Sequence, residues 1–189
     1  TGNAVHPEEI AAILEAIEGV LFLDNAYVDF SGRDYRPLMK KHDNLVIGRT
    51  MSKIHALAGL RIGYAFLPGW LREPYGRAQT PFAVSTVAAA AAEAALGEQE
   101  WAARYLEHVR RWRDRFTREV GRRVFPSEAN FVLVDVAPRR SDEVTGALAH
   151  RGVVVRSCRS FPGLEDHYIR VSIGEDWENE RFISEINRL

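Results

Sequence analysis

Arg49-Thr50-Met51-Ser52-Lys53-Ile54-His55-Ala56-Leu57-Ala58-Gly59-Leu60-Arg61-Ile62-Gly63-Tyr64 is the stretch on which the reading of this sequence turns. It leaves a short apolar run with two hydroxyls (Thr50, Ser52), an amine (Lys53) and a guanidinium (Arg61) in one strand-to-loop segment. Hydroxyls and a bidentate arginine can hold a phosphate dianion. A lysine beside them can form an imine with an aldehyde once desolvation or a neighbouring cation deprotonates its amine, and Arg61 is such a fixed cation. Together the groups suit a phosphorylated aldehyde. The plain alternative makes Lys53 a solvated loop lysine and Arg61 a surface ion-pair partner, and the joint pattern weighs against it.

Working outward, residues 20–24 (Val-Leu-Phe-Leu-Asp) form a continuous apolar run closed by an acid, the pattern of a buried parallel strand with a polar carboxyl end. Residues 45–49 and 62–67 repeat it. Three such runs predict an α/β layer, a mostly parallel sheet with helices, whose ligand sites lie beyond the strand carboxyl ends. Asp24 and Thr50 fall there. Before them, Pro7 and the pair Glu8-Glu9 open a helix carried by Ile10, Ile13, Leu14 and Ile17, with Gly19 as its expected end. Seven of residues 84–96 are alanine, with Val84, Val87 and Leu96 as larger apolar residues, a strong helix-forming composition that permits close approach, so a buried helix is expected. From 100 to 123, Trp101, Tyr105, Leu106, Val109, Trp112, Phe116 and Val120 follow one helical stripe. The expected organisation is part of a large ligand-binding domain at 1–97, a linking helix at 98–123, and a smaller α+β domain at 124–189. The last is built from strands at 130–136, 153–156 and 168–173, a helix at 142–151 and a closing helix from Asp176.

The 189 residues are 46% hydrophobic and 27% charged, an ordinary globular balance, and the formal charge of −1 draws the chain neither to nucleic acid nor to a membrane surface. The single cysteine, Cys158, cannot form an internal disulfide, and no signal peptide or membrane span is legible, so a cytoplasmic setting is expected. No metal-ligand pattern stands out. The sequence starts at Thr1 without methionine, as though cut from a longer chain.

The segment from Ser52 to Tyr64 resembles the S-K-x-x-x-L-A-G-L-R-x-G-[YF] signature of the fold-type I, class I and II pyridoxal-phosphate aminotransferases. The resemblance implies the C-terminal part of that transferase fold, with pyridoxal 5′-phosphate as cofactor. Lys53 becomes the Schiff-base lysine and later proton shuttle, with Thr50, Ser52 and Arg61 on the cofactor phosphate. Asp24-Asn25-Ala26-Tyr27 resembles the family's D-E-A-Y, Asn25 replacing the usual Glu. Asp24 is then the buried carboxylate that keeps the pyridine nitrogen protonated, and Tyr27 the hydrogen-bond donor to the phenolic oxygen. Alone, an Asp closing a strand is commonly a turn or cap residue. Tyr168-Ile169-Arg170-Val171-Ser172-Ile173-Gly174 resembles the strand whose arginine grips a substrate carboxylate, which places Arg170; an exposed edge arginine is the alternative. Asn130 matches the start of a small-domain strand near the site, or is a turn former. Thr1-Gly2 matches the end of an N-P-T-G loop.

Within the family, residues 152–164 followed by Tyr168-Ile169-Arg170 are similar to histidinol-phosphate aminotransferases, where an arginine at the position of Arg156 helps bind the substrate phosphate. Arg159 could contribute or be solvated. The implied reaction is amino transfer between histidinol phosphate and 2-oxoglutarate in histidine biosynthesis, with amine or amino-acid and 2-oxo acid substrates, by a homodimer. A threonine-phosphate decarboxylase or another family aminotransferase is the nearest alternative. A non-catalytic fragment or pseudoenzyme with a binding or assembly role is the alternative of another class.

Overall fold

The apolar runs at the start of the chain become a three-stranded sheet, β1 (Leu21–Asp24), β2 (Leu45–Thr50) and β3 (Gly63–Phe66), in that order. The computed structural model describes residues 2–189, so Thr1, and with it half of the expected Thr1-Gly2 motif, lies outside the described residues. β1 runs parallel to β2, with Leu21 opposite Leu45 and Asp24 opposite Gly48. β3 returns antiparallel, Thr50 opposite Gly63, because residues 51–62 fold back as a loop with no crossover helix. Leu45, Val46 and Ile47 are buried, as a continuous apolar run predicts. β1 departs from that expectation: it alternates, and Phe22 is 62% exposed. Only one face of this edge strand is covered, where Leu21 and Leu23 pack with Ile10, Leu14, Val28 and Tyr35.

Helix α1 (Pro7–Ala16) begins as its sequence dictates, with Pro at the first turn and the His6 N–H donating to Glu9 Oε2 at 3.0 Å. It ends at Ile17, which is extended, two residues before Gly19. A single turn, α2 (Val28–Ser31), follows β1, and α3 (Arg72–Ala78) follows β3. The alanine-rich helix α4 (Thr86–Gly97) is capped by Ser85, whose side chain accepts from Ala88 N–H at 3.1 Å. The expectation that it is buried fails, since only Ala88 and Ala92 are buried while Val87 is 71% exposed. Alanine content encodes helix propensity, whereas burial of a helix needs an apolar stripe facing a partner.

The chain divides into two units, Ala4–Tyr105 and Leu106–Leu189, the latter taking in Gly2 and Asn3. The division falls within the long helix α5 (Gln99–Glu119). In the second unit the buried stripe of α5 is Val109, Trp112 and Phe116; Phe116 meets Phe182 edge-on at 5.5 Å, and Trp112 Nε1 donates to Asp176 Oδ1 at 2.6 Å. The remaining elements are β4 (Val124–Phe125), β5 (Phe131–Asp135), α6 (Ser141–His150), β6 (Arg156–Ser157), β7 (Tyr168–Ser172) and α7 (Asp176–Ile186). Their strands order as β4-β5-β7-β6, every neighbouring pair antiparallel. β4 is too short to show a period. The strand expected at 153–156 shrinks to Arg156–Ser157, because the preceding valines leave the ladder and Val154 is 88% exposed. Among the described residues, no helix is long and apolar enough to cross a membrane.

Candidate functional site

The predicted residues fall into two groups, one in each unit. In the first unit Asp24 ends β1, Tyr27 stands before α2, Thr50 ends β2, and Ser52, Lys53 and Arg61 belong to the loop that joins β2 to β3. Parallel register sets the carboxyl ends of β1 and β2 side by side, and the Asn25 N–H extends the pairing by donating to Gly48 O at 2.9 Å. Asn25, the departure from the family pattern, is among the few buried polar residues. Asp24 is exposed rather than buried, and its Oδ1 accepts the Ala26 N–H at 2.9 Å, tightening the turn towards Tyr27.

The loop after β2 is closed on itself. Met51 N–H donates to Ile62 O at 3.1 Å, Leu57 N–H to Met51 O at 2.9 Å and Ala56 N–H to Lys53 O at 3.1 Å. Met51 and Ile54 anchor it in the core. Ala56 and Arg61 take left-handed conformations, φ 56° and 52°, so the turn bends tightly at two residues that are not glycine. Thr50 Oγ1 accepts the Ser52 N–H at 3.1 Å, which fixes both hydroxyl residues at one corner. The Lys53 Nζ lies 5.2 Å from the centre of the Tyr27 ring, the clearest meeting of two predicted site residues. Arg61 Nη1 donates to Ala58 O at 3.1 Å, leaving most of its exposed guanidinium fork available.

In the second unit Arg170 on β7 is flanked by Leu133 on one side and by Arg156 on the other. Strand alternation sends Ile169 and Val171 to the buried face and Arg170 to the opposite one, where its Cζ lies 5.1 Å from the Phe131 ring centre. Arg156 stacks on Phe161 at 4.8 Å. Like charges directly opposed across a ladder repel, so this pair favours an anion between or beside its members. Arg170 Nε is buried with no hydrogen-bond partner, a donor left waiting for an acceptor. A cavity of about 430 Å³ opens beside both, lined also by Trp177, Arg181 and Phe182. Arg159 has a partner already, Asp142 at 2.8 Å, and stays out of this group. Asn130 stands before β5, its carbonyl accepting the Ile173 N–H at 2.9 Å. Burial pushes the Cys158 thiol up, with Arg170 and Arg156 pulling the other way, which disfavours its thiolate.

Among the described residues none of Lys53, Arg61, Arg156 and Arg170 pairs with a carboxylate, while Arg49 pairs with Asp29 and Arg115 with Glu119. Sequence reading passed over Asp29, Arg49 and Phe131. Charges set within apolar runs, Val-Asp-Phe at 28–30 and Arg49 in β2, were the signal available.

The family model for aminotransferase class I and II matches residues 1–186. The chain belongs to that family. It is 61% identical over 189 residues to a histidinol-phosphate aminotransferase of Methanoculleus marisnigri, covering 100% of this chain and 54% of that protein. The chain spans about half the length of the curated relatives it matches. A solved histidinol-phosphate aminotransferase from Clostridium acetobutylicum superposes with a TM-score of 0.92 at 26% identity, over 100% of this chain and 60% of that one. Another, from Sinorhizobium meliloti in complex with pyridoxal-5′-phosphate, does so with a TM-score of 0.85 at 27% identity, over 100% and 54%. The chain therefore has the fold of the matching part of these solved histidinol-phosphate aminotransferases.

Proposed function

We propose that this chain holds the cofactor lysine and the substrate arginines of a pyridoxal-phosphate-dependent transaminase that acts on histidinol phosphate and 2-oxoglutarate. The observation that carries the reading is Lys53 Nζ set 5.2 Å from the Tyr27 ring centre, on the loop that follows Thr50 and also carries Ser52 and Arg61. An amine, two hydroxyls and an unneutralised guanidinium match a phosphorylated aldehyde group for group. When bound, pyridoxal phosphate supplies an electron sink for the electron pair released at the substrate α-carbon. The Lys53 Nζ would hold the cofactor and, once freed by the substrate amine, would carry the proton from the substrate α-carbon to the carbon that had been the aldehyde. Thr50, Ser52 and Arg61 would hold the phosphate, Asp24 would pair with the ring nitrogen, and Tyr27 would donate its hydroxyl proton to the phenolic oxygen. Asp24 is exposed in this chain; with a ring bound over it, the lower local dielectric would strengthen its pairing with the pyridinium.

Arg170 takes the carboxylate of the 2-oxo acid as a fork, and Arg156 beside it takes the phosphate of the amine substrate, with Asn130 near them. Two unpaired guanidinium groups opposed across β6 and β7 favour a phosphorylated amine over a neutral one. The names of the relatives support the same substrate, and a cytoplasmic homodimer completes the proposal. The test adds histidinol phosphate to the full-length protein loaded with pyridoxal phosphate. Loss of the visible absorption with formation of pyridoxamine phosphate is expected. Release of carbon dioxide from threonine phosphate instead would assign a decarboxylase.

A further inference from the structure

Asp29 and Arg49 have no part in the roles above, yet they form a half-buried ion pair at the edge of the Lys53 group. Arg49 Nη2 lies 2.5 Å from Asp29 Oδ1, with the side chains 18% and 25% exposed. Asp29 follows Tyr27 by two residues on α2, and Arg49 immediately precedes Thr50 on β2. We infer that this pair is a positioning device that fixes α2 against the end of β2 and so sets Tyr27 over the Lys53 amine. The inference rests on the proposed role of Lys53.

The need for such a tie follows from the size of α2. A helix of four residues is a nucleus without propagation and has no stability of its own. Tyr27 makes no side-chain cap for it, and Gly32, left-handed at φ 69°, ends it at once. Its orientation therefore depends on tertiary contacts. Val28 and Phe30 are buried, and Phe30 meets Tyr105 edge-on at 5.8 Å. Asp29 makes the polar tie.

The other end of the pair is rigid. Arg49 is paired directly with Tyr64 on β3, its Cζ 6.0 Å from the Tyr64 ring centre. A Cβ added to Gly63 would come within 2.6 Å of Arg49 O, so β3 presses closely on the backbone there. Arg49 thus links α2, β2 and β3, and a change at Asp29 is taken up by α2 and hence by Tyr27. The pair is neutral as a whole, so it acts on the neighbouring amine through geometry rather than added charge. Removing one partner leaves the other charge half-buried and unmatched and frees the single turn to rotate.

The test uses the full-length protein loaded with pyridoxal phosphate, with Asp29→Asn, Asp29→Glu, the exchange Asp29→Arg/Arg49→Asp, Tyr27→Phe, and Tyr27→Phe/Asp29→Asn. Three quantities are read: the pH midpoint of the visible absorption of lysine-bound cofactor, the rate of borohydride trapping at Lys53 by peptide mapping, and kcat with KM. Asp29→Asn is expected to move the midpoint towards that of Tyr27→Phe and to lower kcat on the order of tenfold, since misplacement by about 1 Å can be worth up to a hundredfold. The double variant should be no worse than Tyr27→Phe alone, because the pair acts through that ring. Asp29→Glu and the exchange should recover most of the trapping rate, and they carry the comparison where Asp29→Asn does not fold. The inference is overturned if Asp29→Asn lowers thermal stability but leaves midpoint and trapping at wild-type values, or if its effects add to those of Tyr27→Phe. Absence of trapping at Lys53 in the wild type defeats the proposed function and the pair's role with it; wild-type trapping with unchanged variants defeats the pair's role alone.

Discussion

Arg170 shows how much a single side chain is asked to do. Its Nε is buried without a partner, and its guanidinium lies over Phe131 in a sheet that gives it no carboxylate. A planar fork can bind a carboxylate through two parallel N–H donors, which an ammonium group cannot reproduce. Arg170→Lys is therefore expected to raise KM for the 2-oxo acid on the order of 30-fold, equivalent to about 2 kcal/mol for a charged hydrogen bond, while kcat changes less. Steady-state kinetics in 2-oxoglutarate and in histidinol phosphate separate the two anions: Arg156→Gln should weaken the phosphorylated substrate selectively. Equal losses for both substrates in both variants would remove the assigned division of labour.

At the scale of elements, two local devices hold the framework. Ser85 caps α4, and Ser85→Ala should lower stability by about 1 kcal/mol, measured by urea unfolding, because the Ala88 N–H loses its acceptor. His167 joins the end of β5 to the start of β7. Its ring bonds Asp135 through Nδ1 at 2.8 Å and Glu165 through Nε2 at 2.6 Å, and the Glu165 hydrogen bond, with Asp135 assisting, holds the imidazole above its ordinary value of 6.5. A raised folded-state value means the stabilisation is complete below the unfolded value and fades as pH rises through the folded one. His167→Gln should thus be less stable than wild type in mildly acidic solution, with the gap closing in mildly alkaline solution. A gap that widens with rising pH would show that the ring is not held as the cation.

For the molecule as a whole, the sequence made visible what local chemistry determines. The loop from Thr50 to Arg61 could be read because its chemistry is dense and its spacing specific, and β2 because burial on both faces leaves an unbroken apolar run. The exposure of Phe22 and of α4 could not, since burial depends on which surfaces meet and alanine or phenylalanine states only a preference. The antiparallel turn of β3 was hidden for a related reason: nothing in residues 62–67 records the direction of the partner strand. Arg159 illustrates the limit for site residues, because its neighbour Asp142 is distant in sequence and claims it only in the fold. Asp24 stands at the carboxyl end of β1 as its place in the sequence predicts, while its solvent exposure belongs to the surfaces around it.

The central claim is that Lys53 binds the cofactor, and reduction of the pyridoxal-phosphate-loaded protein with borohydride, followed by peptide mapping, tests it most directly. The account predicts a single modified lysine, Lys53, and loss of the label in Lys53→Ala. Modification at Lys40 or Lys41 with Lys53 untouched would contradict it.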